Sequence, residues 1–256
     1  MINKIIKKLG ERIITGSIFL ATVFSNYSYA DDILKGVKGK TNWQMDERIA
    51  YSKSKDNIET ITNNLIIKYW GGDKIGKWGF INLPYKSVDS PNGNNNGLGD
   101  ISVGIGPRGI IKNIHCLVYS GLTLPTGSSE AKIPLGNGRY DVKFGGLFTY
   151  LTTNRTFEIN AALEYNFTGE NKSNINPPNE KYFGIIAGGK LTDNIRFATG
   201  ITDLIKENKD YLANWRGVIR YTLNPTTHFE AVGDIGLRSR NIEKGKVIGI
   251  YIRKDF

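Results

Sequence analysis

The chain has 256 residues, of which 39% are hydrophobic and 23% charged, and it carries a formal net charge of +10. It contains no run of about 18 apolar residues, and its mean hydropathy is −0.31, which excludes a helical membrane protein. A single cysteine excludes an internal disulfide framework, and two histidines leave little material for a zinc site. The sequence therefore predicts no metal site and no cofactor.

Residues 1–30 have the layout of a secretory signal peptide. Three lysines and one arginine among residues 4–12 precede twelve mostly apolar residues at 13–24, too few to span a bilayer. Ser28 and Ala30 supply small side chains at the two positions that a signal peptidase reads. We predict cleavage between Ala30 and Asp31, which leaves residues 31–256 as the mature domain.

The basic balance of the chain does not point to nucleic acid. The export segment contributes +3 of the net charge, which leaves +7 for residues 31–256. Their basic residues are spread along the chain and mixed with acids, whereas nucleic-acid-binding proteins cluster them on one element. The sequence thus predicts no nucleic-acid partner.

Beyond residue 40 the polarity of the chain alternates with a period of two, as in a β-strand with one apolar and one polar face. The alternation is clearest in residues 140–150 and 157–168. It predicts twelve strands, of which the first three are the least regular. They lie near residues 41–55, 57–70, 75–86, 97–110, 113–125, 138–152, 155–169, 180–190, 194–205, 210–223, 226–239 and 244–256.

The lengths of the connections favour a barrel. Short turns such as 111–113 and 224–225 alternate with long polar segments such as 126–137 and 170–180. Outer-membrane barrels sort their loops in this way, and strands of this length cross a membrane at a tilt. We predict an all-β fold, an antiparallel up-and-down transmembrane β-barrel of about twelve strands over residues 31–256. The alternative is a soluble periplasmic barrel or sandwich with apolar residues inside.

In a transmembrane barrel the apolar face of each strand contacts lipid and the polar face lines the lumen. The residues predicted to face lipid are Val142, Phe144, Phe148, Ile159, Leu163, Ile219 and Ile235. Interfacial aromatic girdles are predicted from Trp43, Tyr69, Trp78, Tyr150, Tyr165, Phe167, Tyr211 and Tyr221. The predicted lumen-lining residues are Asp100, Arg108, Arg139, Asp141, Lys143, Glu158, Glu164, Arg196, Arg216, Arg220, Glu230, Asp234 and Arg238. Such charges either pair across the interior and close it, or line a pore and set its selectivity.

The end of the chain resembles the signal by which outer-membrane barrels are recognised for assembly. Phe256 is terminal, and Ile248, Ile250 and Ile252 share its face of the last predicted strand. Lys254 departs from the pattern, since an apolar or aromatic residue is expected there. The sequence therefore predicts the barrel-assembly machinery and outer-membrane lipid as partners.

Two motifs with catalytic or cofactor associations do not support an enzyme. Gly104–Gly109 has the spacing G-x-G-x-x-G, but Pro107 interrupts it and no helix follows, so we predict no nucleotide site. A hydrolase would need His115 or His228 as a base, and both lie beside short turns, where polar rim residues are expected. Cys116 is predicted to face lipid or the rim, where a reactive thiol is not expected. We predict no catalytic residues.

Several short motifs carry a family resemblance. They are Leu83-Pro84-Tyr85, Gly97-Leu98-Gly99-Asp100, Leu124-Pro125-Thr126-Gly127, Leu135-Gly136-Asn137-Gly138 and, beyond them, Asp141. Their order is similar to that of an outer-membrane β-barrel family named for the meta-pathway of phenol degradation, whose members are described as transporters. The resemblance implies a barrel of about twelve strands and passage of small aromatic or other apolar compounds.

These observations lead to three functional hypotheses. The first is a passive outer-membrane channel or transporter for small molecules, without covalent chemistry. The second is a closed barrel with a structural or surface-interaction role, its long Asn/Gly-rich loops contacting partners. The third is a lipid-modifying enzyme that uses His115 or His228.

Overall fold

The computed structural model describes residues 42–54, 57–72, 74–129, 131–153, 156–170, 177–242 and 244–256, and all of its regular elements are β-strands. They are β1 (Asn42–Lys53), β2 (Glu59–Gly71), β3 (Ile75–Ser90), β4 (Gly93–Leu98), β5 (Ile101–Ile111), β6 (Ile114–Leu124), β7 (Asp141–Leu151), β8 (Phe157–Thr168), β9 (Glu180–Lys190), β10 (Ile195–Lys206), β11 (Tyr211–Asn224), β12 (Thr227–Arg240) and β13 (Lys246–Asp255). No helix in the described part of the chain is long and apolar enough to cross a membrane.

Twelve of these strands form a closed antiparallel barrel. They are all the strands except β4. Each pairs with the next of the twelve in chain order, so that β3 pairs with β5, and β1 pairs with β13 from Gln44 opposite Asp255 to Lys53 opposite Lys246. Closure leaves no free sheet edge around the barrel, which a sheet in hydrocarbon requires because its N–H and C=O groups have no water to bind. The predicted fold class is therefore confirmed.

The two ends of the barrel differ in their connections. At one end, which we call the turn end, the connections between strands have two to five residues. At the other, which we call the mouth, the connection from β6 to β7 has sixteen residues (125–140) and that from β8 to β9 has eleven. The two longest connections lie at the mouth as predicted, but short and long connections do not alternate strictly, because the mouth also carries short loops such as 207–210.

One strand was not predicted. β3 runs to Ser90, beyond the predicted end at residue 86, and β4 folds back along it from Ser90 opposite Gly93 to Tyr85 opposite Leu98. β5 then takes over the pairing with β3 at Asn82 opposite Ser102. The segment Asn94–Asn96 carries no apolar alternation, so the sequence gives no strand signal there.

The faces of the strands follow the predicted alternation. Phe144, Leu163 and Ile219 project outward and are 52%, 53% and 57% exposed. The inward side chains of the same strands, such as Asp141 and Glu158, are buried. Among the predicted girdle residues, Trp78 is the exception.

Trp78 lies inside the barrel, so its prediction as an interfacial girdle residue is wrong. Its side chain is 0% exposed and shares the inner face of β3 with Asn82 and Lys86. Its position near a strand end suggested the girdle. However, it lies an even number of residues from these polar residues, so its side chain projects from the same inward face.

Arg238 is exposed, so its prediction as a lumen residue is also wrong. Asn214 pairs with Gly236 while Ala213 pairs with Arg238, which leaves Leu237 as an extra residue in β12. A β-bulge of this kind exchanges the two faces of a strand beyond it. Arg238 therefore projects outward, although it lies an even number of residues from the inward residues that precede the bulge.

Candidate functional site: the barrel lumen and its mouth

One wall of the lumen carries a cluster of charges centred on Asp46. Its carboxylate accepts hydrogen bonds from Lys68 Nζ at 2.5 Å, Arg48 Nη2 at 2.7 Å and Arg253 Nε at 3.2 Å. All four side chains are at most 3% exposed. Three cations around one anion leave an excess of positive charge. Glu230 offsets part of it, since its carboxylate lies 3.5 Å from Arg253 Nη1.

Two further ion pairs cross from β11 to β12. Arg216 donates from Nε and Nη2 to the two oxygens of Asp234, at 2.8 and 2.5 Å. Arg220 donates from Nε to Glu230 Oε1 at 2.7 Å. The two partners of each pair are directly opposite in the strand register, so the two arginines of β11 each face an acid of β12.

Four further ion pairs among the described residues lie on the inner face of the barrel or at its mouth. The pairs are Arg196–Glu158 at 2.7 Å, Arg139–Asp141 at 2.7 Å, Lys206–Glu180 at 3.3 Å and Lys143–Glu164 at 3.6 Å. Apart from Arg238, the predicted lumen residues all lie on the inner side of the barrel or its mouth. Whether they line a conducting pore stays a prediction.

Sequence reasoning missed several inward charges. They are Asp46, Arg48, Lys68, Lys86, Glu180, Lys206 and Arg253. Most lie on β1 to β3, whose alternation of apolar and polar residues is weak, or on the last strand, whose apolar face carries the predicted assembly signal. Each lies an even number of residues from other buried residues of its strand, and this spacing is the signal that could have identified it.

A second wall of the lumen is aromatic. Trp70, Trp78, Phe80 and Tyr119, which we call the aromatic wall, project inward from β2, β3 and β6. Trp78 contacts the other three, with ring centroids 6.0, 5.0 and 5.7 Å away. Such tilted and edge-to-face arrangements are favourable for aromatic pairs. The result is a packed apolar cluster inside the lumen, in which Trp70, Trp78 and Tyr119 are at most 4% exposed.

Glycines on the inner face make room for these rings. A Cβ at Gly104 would overlap the Phe80 ring, and one at Gly145 would lie 2.5 Å from the Tyr119 ring. The hydroxyl of Tyr119 donates to Glu164 Oε2, which joins the aromatic wall to the Lys143–Glu164 pair. A small cavity beside these residues, also lined by Asn82, has room for about one water molecule.

Arg108 lies beside the aromatic wall at the turn end of the barrel. Its Nε donates to Gly71 O at 3.1 Å and its Nη2 to Gly72 O. Its guanidinium lies 5.7 Å from the centroid of the Trp70 ring, within the range of a cation–π contact. Arg108 is thus anchored by the backbone at the β2–β3 turn.

The mouth is covered by the connection from β6 to β7, residues 125–140, which we call the mouth loop. Asp100 holds it from both sides, since Oδ1 accepts from Gly127 N at 3.0 Å and Oδ2 from Asn137 N at 2.5 Å. Burial raises the pKa of Asp100, while these two N–H groups and the charge of Lys86 act in the opposite direction. The residues that carry the family resemblance therefore meet at one place.

Apolar contacts fix the same loop inside the mouth. Ile133 and Leu135 are buried against Val88, an inward residue of β3, and against Ile58. Asn95 Nδ2 donates to Ile133 O at 2.7 Å. The loop is thus folded into the mouth and narrows the lumen from that side.

The two histidines lie on the inner face near the turn end, and both are buried. His228 Nδ1 lies 3.0 Å from Thr222 Oγ1, whereas its Nε2 is 3.9 Å from Asp255 Oδ2, too far for a hydrogen bond. Cys116 projects outward and its Sγ lies 3.5 Å from Gly109 O. Among the described residues, no group of three His, Cys, Asp or Glu side chains is arranged to hold a metal ion.

The proposed assembly signal lies on one outward face of β13. Ile248, Ile250, Ile252 and Phe256 are all exposed, while Lys254 Nζ donates to Thr226 Oγ1 at 3.2 Å. Its recognition by an assembly machinery stays a prediction. The predicted cleavage site, Ala30 and Asp31, lies outside the described residues.

Comparison with known families identifies the chain. Residues 57–250 match the family described as "Putative MetA-pathway of phenol degradation". The chain belongs to this family. The match covers all the motifs on which the resemblance rests, and the resemblance is thus confirmed for this phenol-degradation family. No curated protein matches the chain in sequence.

Several solved outer-membrane barrels share the fold at low sequence identity. An outer-membrane channel from Pseudomonas putida F1 superposes with a TM-score of 0.71 at 12% identity, covering 85% of this chain and 96% of that one. The NanC porin gives 0.57 at 12% identity, covering 82% and 98%. The CymD monoaromatic hydrocarbon channel gives 0.56 at 8%, covering 89% and 93%. The fold is therefore that of outer-membrane β-barrels.

Proposed function

We propose that the protein is a passive outer-membrane channel for small molecules that carry an aromatic or apolar group. The observation that carries this proposal is the aromatic wall, which places Trp70, Trp78, Phe80 and Tyr119 inside the lumen. Apolar side chains inside a barrel contribute nothing to its contact with lipid. A surface of this kind instead offers a solute a path on which it keeps apolar contacts.

Passage requires the mouth loop to move. The loop is held by the Asp100 carboxylate, a few other side-chain hydrogen bonds and apolar contacts, whereas the barrel wall is held by complete backbone ladders. Elements with few buried contacts open at lower free energy than the strands around them. We therefore place the gate at the mouth loop and the path along the aromatic wall. The similarity to a monoaromatic hydrocarbon channel supports this choice of solute.

The rival function is a closed barrel with a structural or surface role. It is favoured by the inward ion pairs, because Arg216 and Lys68 are at most 1% exposed. Arg216 lies on β11, across the barrel from the aromatic wall, whereas Lys68 lies on β2 beside Trp70. Because Trp70, Trp78 and Tyr119 are also at most 4% exposed, a channel requires a path to open along the aromatic wall.

Planar-bilayer conductance of residues 31–256 separates the two functions. After heat-modifiable migration on a gel has shown a folded barrel, we expect reproducible current steps from the channel and none from a closed barrel. Neutralising Arg216 and Asp234 together (R216Q/D234N) removes a wall pair without leaving a buried charge, and it should change the size of the steps. A folded barrel that gives no steps would contradict the proposed function.

A further inference from the structure

One inward lysine differs from the others in its surroundings. Lys86 lies on the inner face of β3 below the mouth loop and is 5% exposed. It forms no ion pair and no hydrogen bond with any residue in the described ranges. Its side chain passes over Gly99, where an added Cβ would lie 3.0 Å from Lys86 Cε.

The other inward lysines each have an acid within reach. Lys68 is 2.5 Å from Asp46, and Lys206 is 3.3 Å from Glu180. Asp100 is near enough for its charge to act on Lys86, but both of its oxygens are taken by backbone N–H groups of the mouth loop. A buried ammonium without a hydrogen-bonded anion costs free energy, so an unpaired one at this place needs an explanation.

Two hydroxyls beside Lys86 also lack partners. Thr62 is directly opposite Lys86 in the β2–β3 register, and Thr60 is the next inward residue of β2. Both are at most 2% exposed, and neither Oγ1 has a hydrogen-bond partner in the part of the chain that is described. Threonine hydroxyls can donate to an anion that an ammonium attracts.

We propose that Lys86, with the hydroxyls of Thr60 and Thr62, forms a binding site for the anionic group of a solute in the lumen. An anion there lies between the Lys86 side chain, which extends toward Gly99, and the two hydroxyls on the β2 side of β3. The site lies below the mouth loop, so a solute meets it directly after passing the loop. This inference rests on the proposed transport function, because only a solute that enters the barrel reaches Lys86.

The same strand indicates what the rest of the solute is. Below Lys86, the inner face of β3 carries Asn82, Phe80 and Trp78, so that the charged site is followed by the aromatic wall. A molecule with an aromatic ring and one carboxylate or similar oxyanion uses both in turn. We therefore assign small aromatic anions as the solute class that this site favours.

Equilibrium binding to the detergent-solubilised full chain tests the site, with benzoate as the probe and benzamide as its neutral counterpart. We expect the wild-type chain to bind benzoate more tightly than benzamide. K86M should weaken benzoate binding about tenfold or more, as expected for a lost hydrogen bond to a charged group, and leave benzamide binding unchanged. K86R should restore much of the difference. K86M is expected to fold, since it removes an unpaired buried charge.

Two matched controls accompany these variants. K53M makes the same change in net charge at an exposed, ion-paired lysine, and T202V removes an inward unpartnered hydroxyl from the opposite wall. T62V should weaken benzoate binding, and neither control should. Equal benzoate binding by K86M and wild type would overturn the inference, as would displacement of benzoate by chloride at the same concentration. If the protein gives either of these results and still conducts in bilayers, the Lys86 binding site is refuted and the proposed channel function is retained.

Discussion

Arg216 and Asp234 face each other across β11 and β12 and are joined by two hydrogen bonds inside the barrel, at 2.8 and 2.5 Å. Both side chains are at most 3% exposed. Removal of one partner leaves a buried charge without compensation, which typically costs about 3–5 kcal/mol. We therefore expect R216Q to lower the free energy of unfolding by about that amount, measured by urea titration of the refolded barrel.

The double variant R216Q/D234N is the control for this prediction. It removes both charges, so we expect it to recover most of the stability that R216Q loses. Equal losses in the single and the double variant would show that the ion pair is not what stabilises this wall.

The position of Trp78 makes a spectroscopic prediction. Trp43 and Trp215 project outward and are 53% and 43% exposed, whereas Trp70 and Trp78 lie inside the barrel. Lipids with brominated chains quench fluorescence only on contact. We expect them to quench the emission of Trp43 and Trp215 and to spare that of the two inner tryptophans.

Two conservative variants assign the emission. W78F should lower the fraction that brominated lipid cannot quench, and W215F should lower the fraction that it can. If W78F lowers the quenchable fraction, then Trp78 contacts lipid and the aromatic wall does not exist as described.

The mouth loop depends on the absence of a side chain at Gly136. A Cβ there would overlap Oδ1 of Asp100, which holds the loop, whereas a Cβ at Gly233 would meet nothing within 4 Å. We expect G136A to displace the loop and loosen the backbone around Lys132, whose side chain is already exposed. Trypsin should then cleave after Lys132 faster than in the wild type. G233A provides the matched control and should be cleaved at the wild-type rate; equal rates for both variants would argue against the Asp100 contact.

Much of this fold is predictable because a strand has a fixed two-residue period. The period separated Phe144 from Asp141 and located the strands to within a few residues. It fails where the ladder slips, since the bulge at Leu237 turned Arg238 outward. It also says nothing of β4, whose polar residues pair only because β3 extends beyond the barrel.

The sequence indicates which residues of the site project inward, but not which of them are in contact. Parity identified Arg220 and Glu230 as inward residues, but their direct pairing depends on the register between two strands. Nearness to a strand end misplaced Trp78, although its parity with Asn82 indicates the lumen. The meeting of Asp100 with the mouth loop joins residues far apart in the chain, and no local pattern encodes that contact.

The most direct test of the central claim compares two anions that differ in an aromatic ring. Reversal potentials of the chain in planar bilayers, measured between benzenesulfonate and methanesulfonate solutions, give the ratio of their permeabilities. If solutes travel along the aromatic wall, benzenesulfonate should permeate better despite its larger size, and replacing Phe80 by alanine should reduce that preference. A higher permeability for methanesulfonate in the wild-type protein would contradict the account, because size alone would then govern passage.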